Sequence, residues 1–222
     1  MEHTERKIVF EEKMHLLLEK LQEMGSLVEE SIARSIESLK KQDLGLAQKV
    51  IDGDDIIDDL EREIEGKCLE VIATQQPMAR DLRRVATLFK MISDLERMAD
   101  YATSIAKITI RIGHQPLIKP LVDIPRMAIL SQKMVKQSLD AYVREDITLA
   151  EAVGQDDDEV DNLFGQIFRE LLTIMMENPK TITQATQLLF VGRWLERISD
   201  HATNIAEEVI FLVTGKKLNL NE

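Results

Sequence analysis

The sequence predicts an all-α fold of two tandem, internally duplicated three-helix bundles, and three observations lead there. The first is a twelve-residue stretch that occurs twice, one hundred residues apart: Leu95 to Ala106 and Leu195 to Ala206 agree at eight positions. The second is composition: 44% of residues are apolar and 31% charged, with nine Gly and five Pro in 222 residues, a helical profile. Aromatics are only 4%, so Leu, Ile, Val, Met and Ala must fill the core. The third is apolar periodicity near 3.6 through most of the chain.

Taken in order, Met14, Leu17, Leu18, Leu21, Met24, Val28, Ile32 and Ile36 recur at helical spacing and predict a first helix over Glu5 to Lys41. Gly25 lies inside it, at a cost of about 1 kcal/mol relative to Ala. Asp43 is placed to cap a second helix running to about Gln75. Pro77 fits the first position of a third helix, where its missing N–H costs nothing. That helix runs to about Arg111 and ends at Gly113. Three of the five prolines fall between Gly113 and Pro125, which makes this segment the linker. A fourth helix takes Pro125 to Arg144, and Asp146 caps a fifth that runs to about Glu177. Asn178-Pro179 makes the next turn, and a sixth helix ends near Thr214-Gly215. The halves match outside the repeated stretch as well. Asp43, Leu46, Ala47 and Val50 answer to Asp146, Leu149, Ala150 and Val153, and Pro77 answers to Pro179. The division is therefore into residues 1–115 and 116–222, related by a pseudo-twofold axis.

A net charge of −12 argues against nucleic acid and bare anionic membrane as partners and favours cations or basic protein surfaces. The single cysteine, Cys68, sits in a helical stretch and reads as core. No apolar run follows Met1, and the run Val209 to Val213 is too short for a membrane span, so the expected location is cytoplasmic without membrane insertion.

The chemistry-bearing pattern is acidic. Glu96 and Asp100, and again Glu196 and Asp200, stand four apart on one helix face, a mildly unfavourable pairing that is made twice. Asp54 with Asp58, and Asp157 with Asp161, form two further pairs of the same spacing. Counting from the hairpin turns brings these pairs to common levels. Asp54 and Asp100 are each 23 residues from Pro77, and Asp58 and Glu96 each 19. Asp157 pairs with Asp200, and Asp161 with Glu196, about a centre between Asn178 and Pro179. If the faces agree, each bundle carries four carboxylates that need protons or cations between them. Such oxygen donors suit Mg²⁺, Ca²⁺, Mn²⁺ or ferric iron. Asp55, Asp158, His201 and Asn204 are candidates to join these sites. Glu12-x-x-His15 has a ferritin-like spacing but no second copy. Asp81, Arg83 and Arg84 form a charged cluster without a basic counterpart in the second half. Arg97 and Arg197 sit beside the acids in both copies.

Together, the Leu-Glu-Arg-x-x-Asp-x-Ala context of Glu96/Asp100 and Glu196/Asp200 and the turn Gln76-Pro77-x-Ala79-Arg80-Asp81-Leu82-Arg83 resemble the PhoU family of phosphate-transport regulators, over about residues 10–214. Asn178-Pro179-Lys180-Thr181 departs from that turn in the second half. The resemblance implies a non-catalytic, dimeric cytoplasmic adaptor between a phosphate ABC transporter ATPase and a membrane sensor histidine kinase, peripheral at the inner membrane through those partners. It implies negative control of the phosphate-starvation response. It also implies a multinuclear cluster, iron or zinc, on the eight carboxylates, with manganese or magnesium also compatible with oxygen donors. Two rival readings are a multinuclear carboxylate metalloenzyme or metal-storage bundle, and a structural bundle whose acids simply face solvent.

Overall fold

The computed structural model describes residues 2–220, with side chains from Arg6 onward. Its helices are α1 (Glu2–Lys41), α2 (Leu44–Asp52), α3 (Asp54–Gln75), α4 (Arg80–Ile112), α5 (Asp123–Arg144), α6 (Ile147–Glu177) and α7 (Ile182–Thr214), with a 3₁₀ turn at Pro179–Thr181. The described residues contain no strand, and none of their helices is long and apolar enough to cross a membrane. The first repeat is α1 to α4, and the second is α5 to α7.

The expected second helix is interrupted at Gly53, where α2 ends and α3 begins. The equivalent position in the uninterrupted α6 is Asp156, whose carboxylate bonds Lys133 of α5. Both predicted caps are present: Asp43 accepts from the Leu46 N–H at 2.9 Å, and Asp146 from the Leu149 N–H at 3.1 Å. The residue before each cap is left-handed, Gln42 at φ 52° and Glu145 at φ 51°, so both repeats turn the same elbow. The Gln42 amide reaches on to the carbonyls of Gly113 and Gln115, tying this elbow to the linker.

The third helix does not begin at Pro77. Gln76 ends α3 in the left-handed region, and Ala79 adopts φ 49°, ψ −111° before α4 opens at Arg80. The Asp81 N–H bonds the Met78 carbonyl at 3.1 Å, closing a type II′ turn with Ala79 where glycine is preferred. A non-glycine residue held there costs about 1–3 kcal/mol. Its second-repeat equivalent is the unstrained 3₁₀ turn, where the Asn178 side chain caps the Lys180 N–H. Likewise α5 starts at Asp123, two residues before Pro125, since the first helical turn tolerates proline.

The repeats join along α4 and α7, which run antiparallel. Lys90 pairs with Glu208 at 2.5 Å, and Asp94 meets Asn204 and His201. Tyr101 and His201 hold equivalent positions and face each other with ring centres 5.8 Å apart, so the pseudo-twofold axis passes between them. Helix α1 lies across both repeats, which explains Gly25: a Cβ there would stand 2.2 Å from Leu139 Cδ1 of α5. A Cβ at that position would therefore displace the buried Leu139 side chain. One large core fills both bundles, and it includes Cys68, whose thiol burial pushes up to about 12. Ellman's reagent is therefore expected to find no reactive thiol in the native protein and one after denaturation; rapid labelling of the native chain would contradict that burial.

Candidate cation-binding carboxylate clusters

Each acidic pair rises from a helix register fixed by the core. In α4, the buried Leu95, Met98, Ala99 and Ala102 turn Glu96 and Asp100 toward α3. In α7, Leu195, Ile198 and Ala202 do the same for Glu196 and Asp200 toward α6. The faces agree, and the levels pair as the spacing implies. Asp54 is raised above the usual carboxylate range by burial and by the charges of Asp100 and Asp58, against a lowering hydrogen bond from Thr103. Glu96 is raised by burial, then by Asp100, Glu61 and Asp58. In the second repeat, Asp161 is raised by burial and Asp200.

The strongest effects are at Asp157 and Glu196, only 6% and 9% exposed. Burial, with Asp161 and Asp200 beside it, pushes Asp157 up to about 6. Burial, with Asp200 and Asp161, pushes Glu196 up to about 7 despite Arg193. Each carries a buried oxygen, Asp157 Oδ1 and Glu196 Oε2, that receives no hydrogen bond. The asymmetry between the repeats has a local cause. Asp157 is buried, whereas Asp54 is only half-buried and the lowering bond from Thr103 is its next largest influence after burial.

Arginines answer part of the charge. Arg97 reaches Asp100 at 3.2 Å and Glu96 at 3.5 Å, Arg197 reaches Asp200 at 3.4 Å, and Arg62 reaches Asp58 at 3.5 Å. Arg193 bonds the other oxygen of Glu196 and lies over the Phe164 ring. Among the described residues, no three His, Cys, Asp or Glu side chains converge into a ready-made metal shell. The donor chemistry nevertheless fits a hard cation, above all in the second repeat, where two buried carboxylate oxygens lack any donor.

The other candidates sort clearly. His201 and Asn204 turn away from their own cluster to Asp94 across the repeat seam, His201 Nδ1 at 2.8 Å and Asn204 Nδ2 at 3.4 Å. Asp158 contributes charge to Asp157 and Asp161 from an exposed position, while Asp55 is an exposed residue of the first turn of α3. His15 pairs with Glu19 on the surface of α1. The arginines of the Asp81 cluster are structural: Arg83 Nε bonds the Leu212 carbonyl at 3.3 Å, and Arg84 grips Glu11 at 2.9 Å beside the Phe10 ring. Two participants were not singled out by the sequence reading, Glu61 in the first repeat and Arg193 in the second. Each had a signal: Glu61 is one turn beyond Asp58, and Arg193 is three residues before Glu196.

The chain matches the PhoU domain model twice, over residues 21–109 and 124–209. It is 44% identical over 218 residues to a Clostridium acetobutylicum protein named "phosphate-specific transport system accessory protein PhoU homolog", covering 96% of this chain and 98% of that one. A Rhizobium meliloti protein of the same name is 40% identical over 216 residues, 97% of this chain and 91% of the relative. Among solved structures, PhoU from Pseudomonas aeruginosa superposes with a TM-score of 0.89 at 38% identity, over 93% of this chain and all of that one. The phosphate transport system regulatory protein PhoU from Streptococcus pneumoniae gives 0.88 at 28% identity, over 94% and 99%. With both repeats matched, and relatives aligned over nearly their whole length, the chain belongs to the PhoU family.

Proposed function

We propose that this protein is a non-catalytic regulator of phosphate uptake and phosphate-starvation signalling. The observation that supports this best is its near-full-length agreement, in sequence and fold, with relatives named as accessory or regulatory proteins of phosphate transport. On this reading it works in the cytoplasm as a homodimeric adaptor between a phosphate ABC transporter ATPase and a sensor histidine kinase, and it damps the starvation response when phosphate is plentiful.

The acidic clusters fit such a role as cation sites. Asp54, Asp58, Glu96 and Asp100 would hold cations in one repeat, and Asp157, Asp161, Glu196 and Asp200 in the other. Iron or zinc is the family expectation, with manganese or magnesium also suited to oxygen donors. Bound cations supply the positive charge that these crowded carboxylates lack. The chain's own residues set the rest. The core leucines fix the helix register, and Arg97, Arg193 and Arg197 hold part of each acid set in place.

The test is a phosphate-starvation reporter in cells lacking the protein. Deletion is expected to raise reporter output severalfold in high phosphate, and the intact chain to restore repression. The quadruple variant Glu96→Ala/Asp100→Ala/Glu196→Ala/Asp200→Ala is expected to restore less of it. Unchanged reporter output on deletion would remove the regulatory reading.

A further inference from the structure

The α3–α4 turn, Gln76 to Ala79, is built unlike its second-repeat equivalent, and the cluster chemistry does not use it. Two of the chain's four described non-glycine residues with positive φ, Gln76 and Ala79, lie within these four positions. Strain of this kind persists only where the surroundings over-determine the backbone, and it concentrates at sites of recognition. The surroundings here do so through three nearby arginines, each fixed to a different element. Arg80 pairs with Glu145 at the α5–α6 elbow, Arg83 with the Leu212 carbonyl of α7, and Arg84 with Glu11 of α1. Tyr142 adds a bond from its hydroxyl to the Arg84 carbonyl at 2.9 Å.

This rigid base presents a cleft of about 330 Å³ between the first turns of α1 and the turn itself. Phe10, Pro77 and Met78 supply its apolar walls, Arg6 and Lys7 line one side, and Asp81 the other. Met78 is 80% exposed, so a flexible thioether stands in water at the mouth. In a chain of net charge −12, this lining carries two adjacent cations against the single carboxylate of Asp81.

We propose that this cleft is a docking site for a partner's short acidic peptide segment. An aliphatic side chain of that segment packs on Met78 and Pro77, above the buried Phe10, and a neighbouring carboxylate pairs with Arg6 and Lys7. Asp81 accepts a backbone N–H of the same segment and disfavours a basic one. The pair Arg6 and Lys7 is complementary to a carboxylate, and a slot of about 330 Å³ has room for a short segment rather than a helix face, while a second copy of the chain is the alternative that the test reads. The proposal rests on the adaptor reading for there being a partner, and it assigns that partner a surface.

The experiment probes the full-length protein with a positional-scanning octapeptide library, then titrates the best peptide by fluorescence polarisation. The expected result is selection of Asp or Glu beside Leu, Ile or Met. Affinity is expected to fall at least tenfold in Arg6→Glu/Lys7→Glu and about fivefold in Met78→Glu. The distant exposed variant Phe190→Glu is expected to bind as the parent does. Circular dichroism and thermal melting of each variant confirm that the fold is retained. No acidic selection, or equal affinity after the charge reversal, would overturn the proposal. So would sedimentation showing a parent dimer that the charge reversal dissociates, since the occupant would then be a second copy. A normal reporter response in cells combined with failed peptide binding sinks the cleft alone. A deletion without phenotype combined with the selective peptide result sinks the adaptor reading alone.

Discussion

Glu196→Gln is expected to stabilise the protein at pH 8 in chelator, by about 1–2 kcal/mol, and Asp157→Asn by about 1 kcal/mol. The full displacement of Glu196 from 4.5 to about 7 corresponds to about 3 kcal/mol, and Arg193 together with local relaxation lowers what is recovered. The sign follows from linkage. A carboxyl whose folded value is raised holds its proton in the native state over a range where the unfolded chain has already lost it. Its contribution is fully present below the unfolded value and is lost as pH rises through the folded one. For Glu196 that window runs from 4.5 to about 7, and for Asp157 from 3.8 to about 6. The parent should therefore lose stability from pH 4 to 8 by these two groups, and each amide variant should flatten its own part of the curve. Urea unfolding at several pH values measures this. A Glu196→Gln protein less stable than the parent at pH 8 would show that the bond to Arg193 outweighs the burial.

Leu195→Ala is expected to destabilise by about 3 kcal/mol, within the 2–5 kcal/mol seen when a buried leucine is truncated. Leu195 has no exposed surface, and its carbonyl accepts from the Ser131 hydroxyl of α5 at 3.2 Å, so the helices around it are pinned and cannot collapse freely into the void. In a chain of this length the melting temperature should fall by roughly 6–12 °C. Leu95→Ala, buried equally in α4, should behave alike. A loss below about 1 kcal/mol in calorimetry would show that the cavity refills and that the Leu-Glu-Arg register is softer than the packing indicates.

The fold was legible because its signals are local and doubled. Asp43 and Asp146 announce helix starts by cap chemistry, Gly113 and Gly215 announce ends, and the duplicated stretch reveals the repeat. The α2–α3 break was not legible, because an interior glycine such as Gly53 is tolerated in many helices and its equivalent Asp156 continues one. The start of α4 was misplaced at Pro77 because the left-handed Gln76 and Ala79 carry no residue-type mark. Gly25 read as a tolerated cost because its reason, Leu139, lies 114 residues away. In the clusters, counting from the turns gave the level of each carboxylate, while their shared face and the unequal burial of Asp54 and Asp157 depend on three-dimensional packing. The same holds for His201. Its neighbours in sequence suggest the acid cluster, but the antiparallel seam supplies Asp94 instead.

We propose the two carboxylate sets as cation sites. The most direct test of this is elemental analysis of purified, untagged protein beside the variant Glu96→Ala/Asp100→Ala/Glu196→Ala/Asp200→Ala, each after incubation with iron, manganese or zinc and removal of free metal. The account predicts retained metal in the parent and at least a tenfold loss in the variant. Parent protein that retains none, or a variant that retains as much as the parent, would contradict it and leave the eight acids as a charged surface.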